Sequence, residues 1–477
     1  MLPVVMVCSG LAPGQQAPAQ ASREWTSVDG KKITAEFLGV QGTSVALKVA
    51  GGQVSLVPLV KLSADDNAFI RKNSFVYHPV WQAWPPDTDY AMRNVPVKEE
   101  PGMANSFIYT TPHFRFRSDV NLGTPLMKDL AQVFELTYSL HTKSPFGILA
   151  QPKKDLFDAW LFGTTENYMR AGGLPGTAGI YLLKEKVFLA PLEQMGVRPG
   201  SAGWRKESGS YDSSTVIHEL THMLTHDMLN NLPLWVNEGY AEYISNIPIE
   251  NGSFKTSREN IREGVLNKLV REREGASGRG RVVGIGDRVS FQKSGTPTVL
   301  RRVAKVLQMT DEEWVTGHPP GTAPDPLAGI KLTPFGTSAG EAAERMRLPR
   351  LYQTAHLILY YFIQIEGEKG VTKVRRFLNE NQKNMAGYLQ YVEDIAKYET
   401  QMEEFMKQPG VTRTEDGRIR YPSNLIVPQP PEVPFKDPNV LKLGGLGALL
   451  GGESANDVGA RIEIALMKDL GAKLRFE

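Results

Sequence analysis

Cysteine is nearly missing from this chain, which holds a single one, Cys8, among 477 residues. An intramolecular disulfide is therefore excluded. Cys8 lies in a short apolar opening that runs into Ala17-Pro-Ala-Gln-Ala21, a series of small residues typical of a secretory cleavage site. Removal of residues 1–21 would leave a mature chain without cysteine, which is consistent with an exported protein that folds without disulfides.

Basic residues are missing from the same N-terminal segment, where a secretory signal normally carries them. We interpret residues 1–21 as a secretory signal peptide, which would be truncated if the true start codon lies upstream, and we predict a periplasmic or extracellular protein. The alternative is that the apolar segment remains attached as an N-terminal anchor. No other stretch approaches the roughly 18 apolar residues of a membrane-spanning helix, so we expect no stable membrane span.

Neither sign of charge predominates. Lys and Arg number 54 together and Asp and Glu 52, which gives a net charge of +2. Proteins that bind nucleic acid usually carry a basic patch or face, and the arginine-containing stretch at 271–288 is interrupted by acidic residues and glycines. We interpret that stretch as a solvated loop and expect no nucleic-acid partner.

Histidine is scarce as well, with eight in the chain, yet two of them stand four residues apart in His218-Glu219-Leu220-Thr221-His222. Residues 212–215, Asp-Ser-Ser-Thr, supply helix N-cap candidates just before this run. Apolar residues then recur at helical spacing at Val216, Leu220, Met223 and Leu224. The pattern predicts a helix with a buried back and with both histidines on its other face.

This spacing favours a metal site. Residues four apart on a helix share a face, so His218 and His222 can reach one ion. Glu219 lies close enough to contact a water on that ion, and Glu238, sixteen residues after His222, offers a carboxylate from a second segment. Two imidazoles and one carboxylate leave the fourth tetrahedral position open, as in catalytic rather than structural zinc sites.

The run HELTH, followed after a short loop by Leu234-Trp-Val-Asn-Glu-Gly-Tyr-Ala-Glu-Tyr243, resembles the gluzincin zinc metallopeptidases, in particular their bacterial peptidase MA-like branch. The likeness extends over residues 106 to 385 or so. It implies one Zn²⁺ held by His218, His222 and Glu238, with Glu219 as the general base. It also implies an α+β, thermolysin-like domain, in which a mixed sheet and the metal-site helices precede a helical C-terminal subdomain.

Two further residues take roles from the resemblance. Glu242, one helical turn beyond Glu238, matches a position that often orients a ligand histidine. Tyr352 matches a tyrosine of related aminopeptidases whose hydroxyl stabilises the oxyanion. The alternatives are a solvated helix charge for Glu242 and a core or interface tyrosine for Tyr352.

His226 competes as a third ligand because it continues the four-residue spacing. Eight residues advance a helix by about 12 Å, too far for the imidazoles of His218 and His226 to bind one ion easily. We therefore expect His226 beside the ligands or at the surface.

Residues 23–72 predict a small β unit with short strands separated by glycine turns. Its opening, Arg23-Glu-Trp-Thr-Ser-Val-Asp-Gly-Lys31, and its end, Val60-Lys-Leu-Ser-Ala-Asp-Asp66, resemble the SH3-like homology module first named in a eukaryotic endocytic adaptor. That resemblance implies a small SH3-like β-barrel with an interaction role, and hence a protein ligand. A purely structural appendage is the alternative.

At 477 residues the chain is too long for one compact core, so we expect two or three domains. The remaining divisions are a Pro-rich linker at 73–105, the gluzincin-like metallopeptidase domain at 106–409 and a Pro- and Gly-rich C-terminal tail, flexible or packed, at 410–477. Within the metallopeptidase domain we predict a helix at 125–140, a hairpin at 172–190, a helix at 257–273, a loop-rich insertion at 274–345 and helices at 370–379 and 385–406.

The predicted substrate is a peptide or protein. In gluzincins the region of the 172–190 hairpin provides an edge strand to which substrate backbone adds. The Gly-Ala-Met-Glu-Asn motif, with which aminopeptidases of the clan capture a free amine, is missing here, which favours internal cleavage. Two alternatives stay open: an exported metal-containing binding protein without turnover, and a zinc amidase that acts on a non-peptide substrate.

Overall fold

The computed structural model describes residues 22–41, 44–73, 94–101, 106–144, 146, 148–150, 152–174, 177, 179–201, 203–207, 213–229, 232–276, 297–318, 347–414, 419–431, 443, 445–471 and 474–477. The predicted signal peptide lies outside the described residues, as do most of the predicted linker and most of the predicted insertion. The chain divides into two units, Met1–Tyr77 and His78–Glu477.

An antiparallel sheet forms the first unit. Its strands, paired in chain order, are β1 (Arg23–Thr26), β2 (Lys32–Gln41), β3 (Ser44–Val49) and β4 (Val54–Pro58). Val45 and Leu47 of β3 share one face of the strand and are buried. Ala46 between them is buried as well, and Lys48 is exposed. Val45 and Leu47 belong to one small core with Trp25 and Phe37. The prediction of a small β unit is confirmed, whereas the described strands form an open sheet that closes no barrel.

A buried carboxylate joins this sheet to helix α1 (Ala64–Asn73). Asp66 accepts hydrogen bonds from the Arg23 guanidinium and from the backbone N–H of Thr26, both at 2.7 Å. Its own N–H donates to Ser63 Oγ at 3.1 Å, which caps the helix. The contacts of Asp66 therefore fix the position of α1 relative to β1.

A mixed sheet forms one half of the second unit. Its strands are β5 (Lys98–Glu100), β6 (Phe107–Thr110), β7 (Phe114–Ser118), β8 (Phe157–Phe162), β9 (Ile180–Leu182) and β10 (Val187–Pro191). The spatial order is β5-β6-β7-β8-β10-β9, in which β7, β8 and β10 are parallel and the other neighbours antiparallel. The predicted hairpin is confirmed as β9 and β10, and β9 lies at the edge of the sheet.

One face of this sheet carries the main core. Helices α2 (Gly123–Thr142) and α4 (Ser214–Leu229) cover this face. Helix α2 contains the predicted 125–140 helix. A short helix, α3 (Thr165–Arg170), lies between β8 and β9 in the chain. Alternate residues of β7, Phe114 and Phe116, are fully buried and meet Phe134 of α2 edge to face. The core thus sets where α4 lies against the sheet.

Helices form the other half of the second unit. They are α5 (Leu234–Ser245), α6 (Arg258–Ala276), α7 (Val303–Leu307), α8 (Asp311–Thr316), α9 (Arg347–Tyr360) and α10 (Glu368–Met406), with a π-helical turn at Tyr361–Ile365. The predicted helix at 257–273 is confirmed. The two helices predicted for 370–379 and 385–406 are one continuous helix, and the insertion predicted as loop-rich contains α7 and α8 among its described residues.

The remaining described strands are short. They pair as β11 (Val197–Gly200) with β12 (Gly203–Lys206), β13 (Ile249–Glu250) with β14 (Ser253–Phe254), and β16 (Thr412–Arg413) with β17 (Ile419–Arg420). β15 (Thr298–Leu300) pairs in parallel with β18 (Leu474–Phe476), which is close to the C-terminal residue.

The described helices of the C-terminal segment belong to the helical half, although the sequence composition predicts a tail from residue 410. Helices α11 (Leu446–Leu450) and α12 (Ala455–Leu470) precede β18, and the buried residues of α12 include Ile462 and Leu466. Glycine and proline composition suggested a tail, but the apolar residues of α12 recur at helical spacing and are buried against the domain.

The contacts of Asp469 near the end of α12 connect three helices. Its carboxylate accepts hydrogen bonds from the Tyr360 hydroxyl of α9 at 2.7 Å and from the Arg258 guanidinium of α6 at 2.6 Å. Arg262, one turn along α6, donates to the backbone carbonyl of Asp469 at 2.9 Å. The C-terminal helix therefore anchors α6.

The described residues form a mixed α+β protein, as predicted. Among the described helices, none combines the length and the apolar character that a crossing of the lipid bilayer requires.

We expect Asp469→Ala to lower the free energy of unfolding by about 2–3 kcal/mol, because two donors lose a shared and largely buried acceptor. Chemical denaturation measures the change. Glu453→Ala is the matched control, since its ion pair with Arg461 is solvent-exposed and such pairs contribute at most about 1 kcal/mol. A loss no larger than in the control would contradict the anchoring role of Asp469.

Candidate metal centre

The residues of α4 divide between two faces, as the sequence predicts. Val216, Leu220, Met223 and Leu224 are all buried in the main core. His218 and His222 lie on the opposite face, with side chains that are 14% and 15% exposed. The apolar stripe therefore anchors the helix to the sheet half and directs both imidazoles away from it.

Helix α5 carries the carboxylates. It begins after Pro233, and the backbone N–H of Leu234 donates to Asp311 of α8 at 3.0 Å. This bond provides a partner for one of the N–H groups that a helix start leaves without an intrahelical acceptor. Glu238 and Glu242 follow, one turn apart, on the side of α5 that meets α4.

Three donor atoms converge at the junction of these helices. Glu238 Oε2 lies 3.3 Å from His218 Nε2 and 3.4 Å from His222 Nε2, and the two nitrogens are 3.1 Å apart. Ligands bonded to tetrahedral zinc at about 2.0–2.2 Å lie roughly 3.3–3.5 Å from one another. The triangle of donor atoms thus fits one face of a zinc coordination sphere, and the residues fit the ion.

Each imidazole has an oxygen facing its other nitrogen. His218 Nδ1 lies 3.3 Å from Glu242 Oε1, and His222 Nδ1 lies 3.1 Å from Asn237 Oδ1. An acceptor at Nδ1 favours the tautomer whose Nε2 lone pair is free to bind a metal. The sequence analysis assigned no role to Asn237, although its place directly before Glu238 within the motif could have suggested one.

Glu242 has partners of its own that the sequence analysis missed. Lys268 of α6 donates to Glu242 Oε2 at 2.8 Å, and the side-chain amide of Asn246 donates to the same oxygen at 3.2 Å. The alternative of a solvated helix charge does not hold, since the Glu242 side chain is 13% exposed. No sequence signal linked Lys268 to this carboxylate, because it lies on a separate helix.

The charges of the centre reinforce each other. Burial alone would lower the pKa of His218, but hydrogen bonds and charge from Glu238 and Glu242 raise it to about 10. Burial would likewise raise the pKa of Glu238, and the two imidazoles hold it well below its usual range. Because imidazole and carboxylate groups bind a metal in their deprotonated forms, zinc binding at this centre is expected to release protons.

Glu219 and Tyr352 both lie near the ligands. Glu219 follows His218 on α4, and its charge adds to that of Glu238 in raising the pKa of His222 against the effect of burial. The Tyr352 ring centre is 6.2 Å from that of His218. Burial, together with the charges of Glu238, Glu219 and Glu242, raises the pKa of Tyr352. Trp314 of α8 meets the Tyr352 ring edge to face at 5.7 Å.

Helices α5 and α9 approach each other closely at Gly239. A Cβ built on Gly239 would lie 2.8 Å from the backbone oxygen of Ala355, so a larger residue would force the helices apart. Tyr352 lies one turn before Ala355 on α9. The glycine beside Glu238 thus allows α9 to bring Tyr352 to the metal ligands.

His226 is buried, in contrast to the surface alternative, and it takes no part in the donor triangle. Its Nδ1 lies 2.8 Å from the backbone oxygen of Met223 and 3.0 Å from the Tyr181 hydroxyl of β9. His226 therefore connects the end of α4 to the edge strand. Among the described residues, the one set of three His, Cys, Asp or Glu side chains close enough to hold an ion is His218, His222 and Glu238.

No protein-family model, no curated protein and no solved structure matches this chain. Its chemistry has to be inferred from the residues of the centre.

Gly239→Ala is expected to lower the free energy of unfolding by about 1–3 kcal/mol, because the added methyl group overpacks the contact with α9. Gly447→Ala is the matched control, since a Cβ at that helical position meets no described atom within 4 Å; it should be neutral or slightly stabilising. Thermal and chemical denaturation measure both variants. Equal stability of the two would show that the helices do not depend on glycine at 239.

The purified chain is expected to bind one zinc ion. His222→Ala and Glu238→Ala should each weaken zinc binding by more than about 100-fold, which exceeds the usual effect of losing a residue that only hydrogen-bonds to a metal ligand. Chelator competition and elemental analysis give affinity and stoichiometry. His318→Ala removes an exposed histidine and serves as the control. Undiminished affinity in Glu238→Ala would rule out this donor set.

Proposed function

We propose that this chain is a zinc metallopeptidase of the gluzincin type, which hydrolyses peptide bonds with Glu219 as the general base. One observation carries the proposal: the donor triangle of His218, His222 and Glu238, with edges of 3.1, 3.3 and 3.4 Å, has a glutamate in the position directly after its first histidine. A structural zinc site usually has four protein ligands, and the described residues bring three together.

The chain's own residues would divide the reaction between them. Bound zinc would supply Lewis-acid polarisation of the carbonyl and a nucleophilic water near neutral pH. The Glu219 carboxylate would take the proton from the attacking water and deliver it to the leaving amine. Tyr352 would donate a hydrogen bond to the oxyanion, and its ring lies beside the ligands, 6.2 Å from that of His218 between centres.

The arrangement around the centre supports a thermolysin-like architecture. A mixed sheet precedes α4, the antiparallel edge strand β9 contacts α4 through Tyr181 and His226, and a helical half follows α5. β9 is the last of the described strands at this side of the sheet, and we propose that the backbone of an extended substrate binds along it. We therefore propose a peptide or protein substrate that is cleaved internally.

The first unit is proposed to be an SH3-like module that binds a protein ligand. Its four antiparallel strands and one helix around the Trp25 core support this, although the described strands leave the sheet open. We further propose that the protein is exported.

Glu219→Gln is expected to retain zinc while hydrolysis falls by about 10²–10⁴-fold, because the carboxamide keeps the shape of the side chain but cannot take a proton. His222→Ala should lose both zinc and hydrolysis. Zinc content is measured beside cleavage of casein and of a peptide library. Glu259→Gln, which makes the same substitution at an exposed glutamate in the first turn of α6, is the control.

Hydrolysis that survives in Glu219→Gln would contradict the proposed base. Zinc binding by the wild-type chain without turnover on any peptide would favour the binding protein, and turnover limited to small non-peptide amides would favour the amidase.

A further inference from the structure

We propose that Lys268 is a positioning residue of the metal centre, which acts through Glu242 to fix the orientation of His218. This inference rests on the proposed zinc site, but it concerns a residue outside the HExxH and NEG motifs.

The contacts run in series from α6 to the donor triangle. Lys268 Nζ lies 2.8 Å from Glu242 Oε2, and the other oxygen, Oε1, lies 3.3 Å from His218 Nδ1. A carboxylate held at one oxygen by an ammonium group has its second oxygen fixed in direction. Lys268 therefore sets where Glu242 Oε1 lies, and Glu242 Oε1 sets the plane and tautomer of the His218 imidazole.

The ion pair between Lys268 and Glu242 is largely buried, so the loss of either partner has a larger energetic effect than at the surface. The side chains of Glu242, His218 and Lys268 are 13%, 14% and 26% exposed. Removal of one partner from a largely buried pair leaves the other charge without compensation. Without Lys268, Oε2 of Glu242 would keep only the longer hydrogen bond from the neutral Asn246 amide, at 3.2 Å. The buried carboxylate would then be stabilised by turning towards solvent, which would take its other oxygen away from His218.

A glycine on α6 allows the approach. A Cβ on Gly264 would lie 2.3 Å from the backbone oxygen of Asn246, so α6 contacts the end of α5 where a side chain cannot fit. Gly264 is one turn before Lys268 on α6, and Glu242 is one turn before Asn246 on α5. The contact between Gly264 and Asn246 therefore lies one helical turn from the Lys268–Glu242 ion pair on each helix, and it brings the two charged side chains within reach of each other.

Two further groups of contacts hold α6 in place. Ile261, Val265 and Leu269 bury one face of the helix. Arg258 and Arg262 bind the end of α12. The lysine is therefore carried by a helix fixed on several sides, as a positioning role requires.

The direction of the change in zinc affinity when Lys268 is replaced distinguishes a positioning role from a purely electrostatic one. Loss of a positive charge near the centre would by itself attract Zn²⁺ more strongly. Loss of the orientation of His218 would weaken binding, and outer partners of zinc-bound histidines typically contribute 10–100-fold in affinity.

The first experiment measures the zinc dissociation constant of Lys268→Met in the full chain by chelator competition. We expect binding about 10-fold weaker than in the wild type. Lys397→Met, which removes the same charge from an exposed lysine on α10, should leave the constant unchanged. Tighter or unchanged binding in Lys268→Met would overturn the proposal.

The second experiment tests whether Lys268 acts through Glu242. Lys268→Met combined with Glu242→Gln should bind zinc no more weakly than Glu242→Gln alone, whereas independent roles would give multiplied losses. Lys268→Arg keeps a charged donor and should restore affinity to within about twofold of the wild type. Multiplied losses, or failure of Lys268→Arg to restore binding, would overturn the proposal.

Two controls complete the design. Circular dichroism checks that each variant is folded, and Lys268→Gln replaces Lys268→Met if the methionine variant does not fold. A wild-type chain that binds no zinc would overturn both this inference and the proposed function, whereas zinc-dependent hydrolysis with unaltered affinity in the Lys268 variants would overturn this inference alone.

Discussion

The convergence of two imidazole nitrogens and one carboxylate oxygen is the constraint on which the centre depends. Each of His218, His222 and Glu238 directs a lone pair towards the same small volume, and such lone pairs repel one another unless a cation lies between them. A proton on an imidazole reduces this repulsion, and the carboxylates of Glu238 and Glu242 favour such a proton because they raise the pKa of His218. A bound Zn²⁺ ion would remove the repulsion because one divalent cation would attract all three donor atoms. The surrounding fold maintains an arrangement that isolated side chains would avoid.

Much of the centre could be predicted from the sequence because its chemistry is local. The spacing of His218 and His222 follows from one helical turn, and the apolar stripe of α4 determines which face is buried. Glu238 could be added because a motif resembling the gluzincins joins it to Asn237 and Gly239. The packing role of Gly239 could not be predicted in the same way. Gly239 has no room for a side chain because the backbone of Ala355, more than a hundred residues away in the chain, lies against it.

The residues that support the centre could not be predicted because they meet across long sequence separations. Lys268 and Glu242 belong to different helices, and nothing in the pattern of α6 indicates which carboxylate its lysine meets. The segment 410–477 was predicted as a tail for a related reason. Its proline and glycine content is typical of a flexible tail, while the apolar spacing within 455–470 indicates a helix with one buried face. Composition averaged over the segment concealed that shorter pattern.

The donor triangle also joins the two halves of the larger unit. The histidines belong to α4, whose apolar face lies in the core of the sheet half, and Glu238 belongs to α5, which contacts α9 in the helical half. An ion bound by all three would therefore link separately packed cores, and it would bind the native state in preference to the unfolded chain. Such binding adds to the stability of the native state. The contacts of α6 have a supporting role, since its Lys268 binds Glu242 and its Arg258 and Arg262 bind the end of α12.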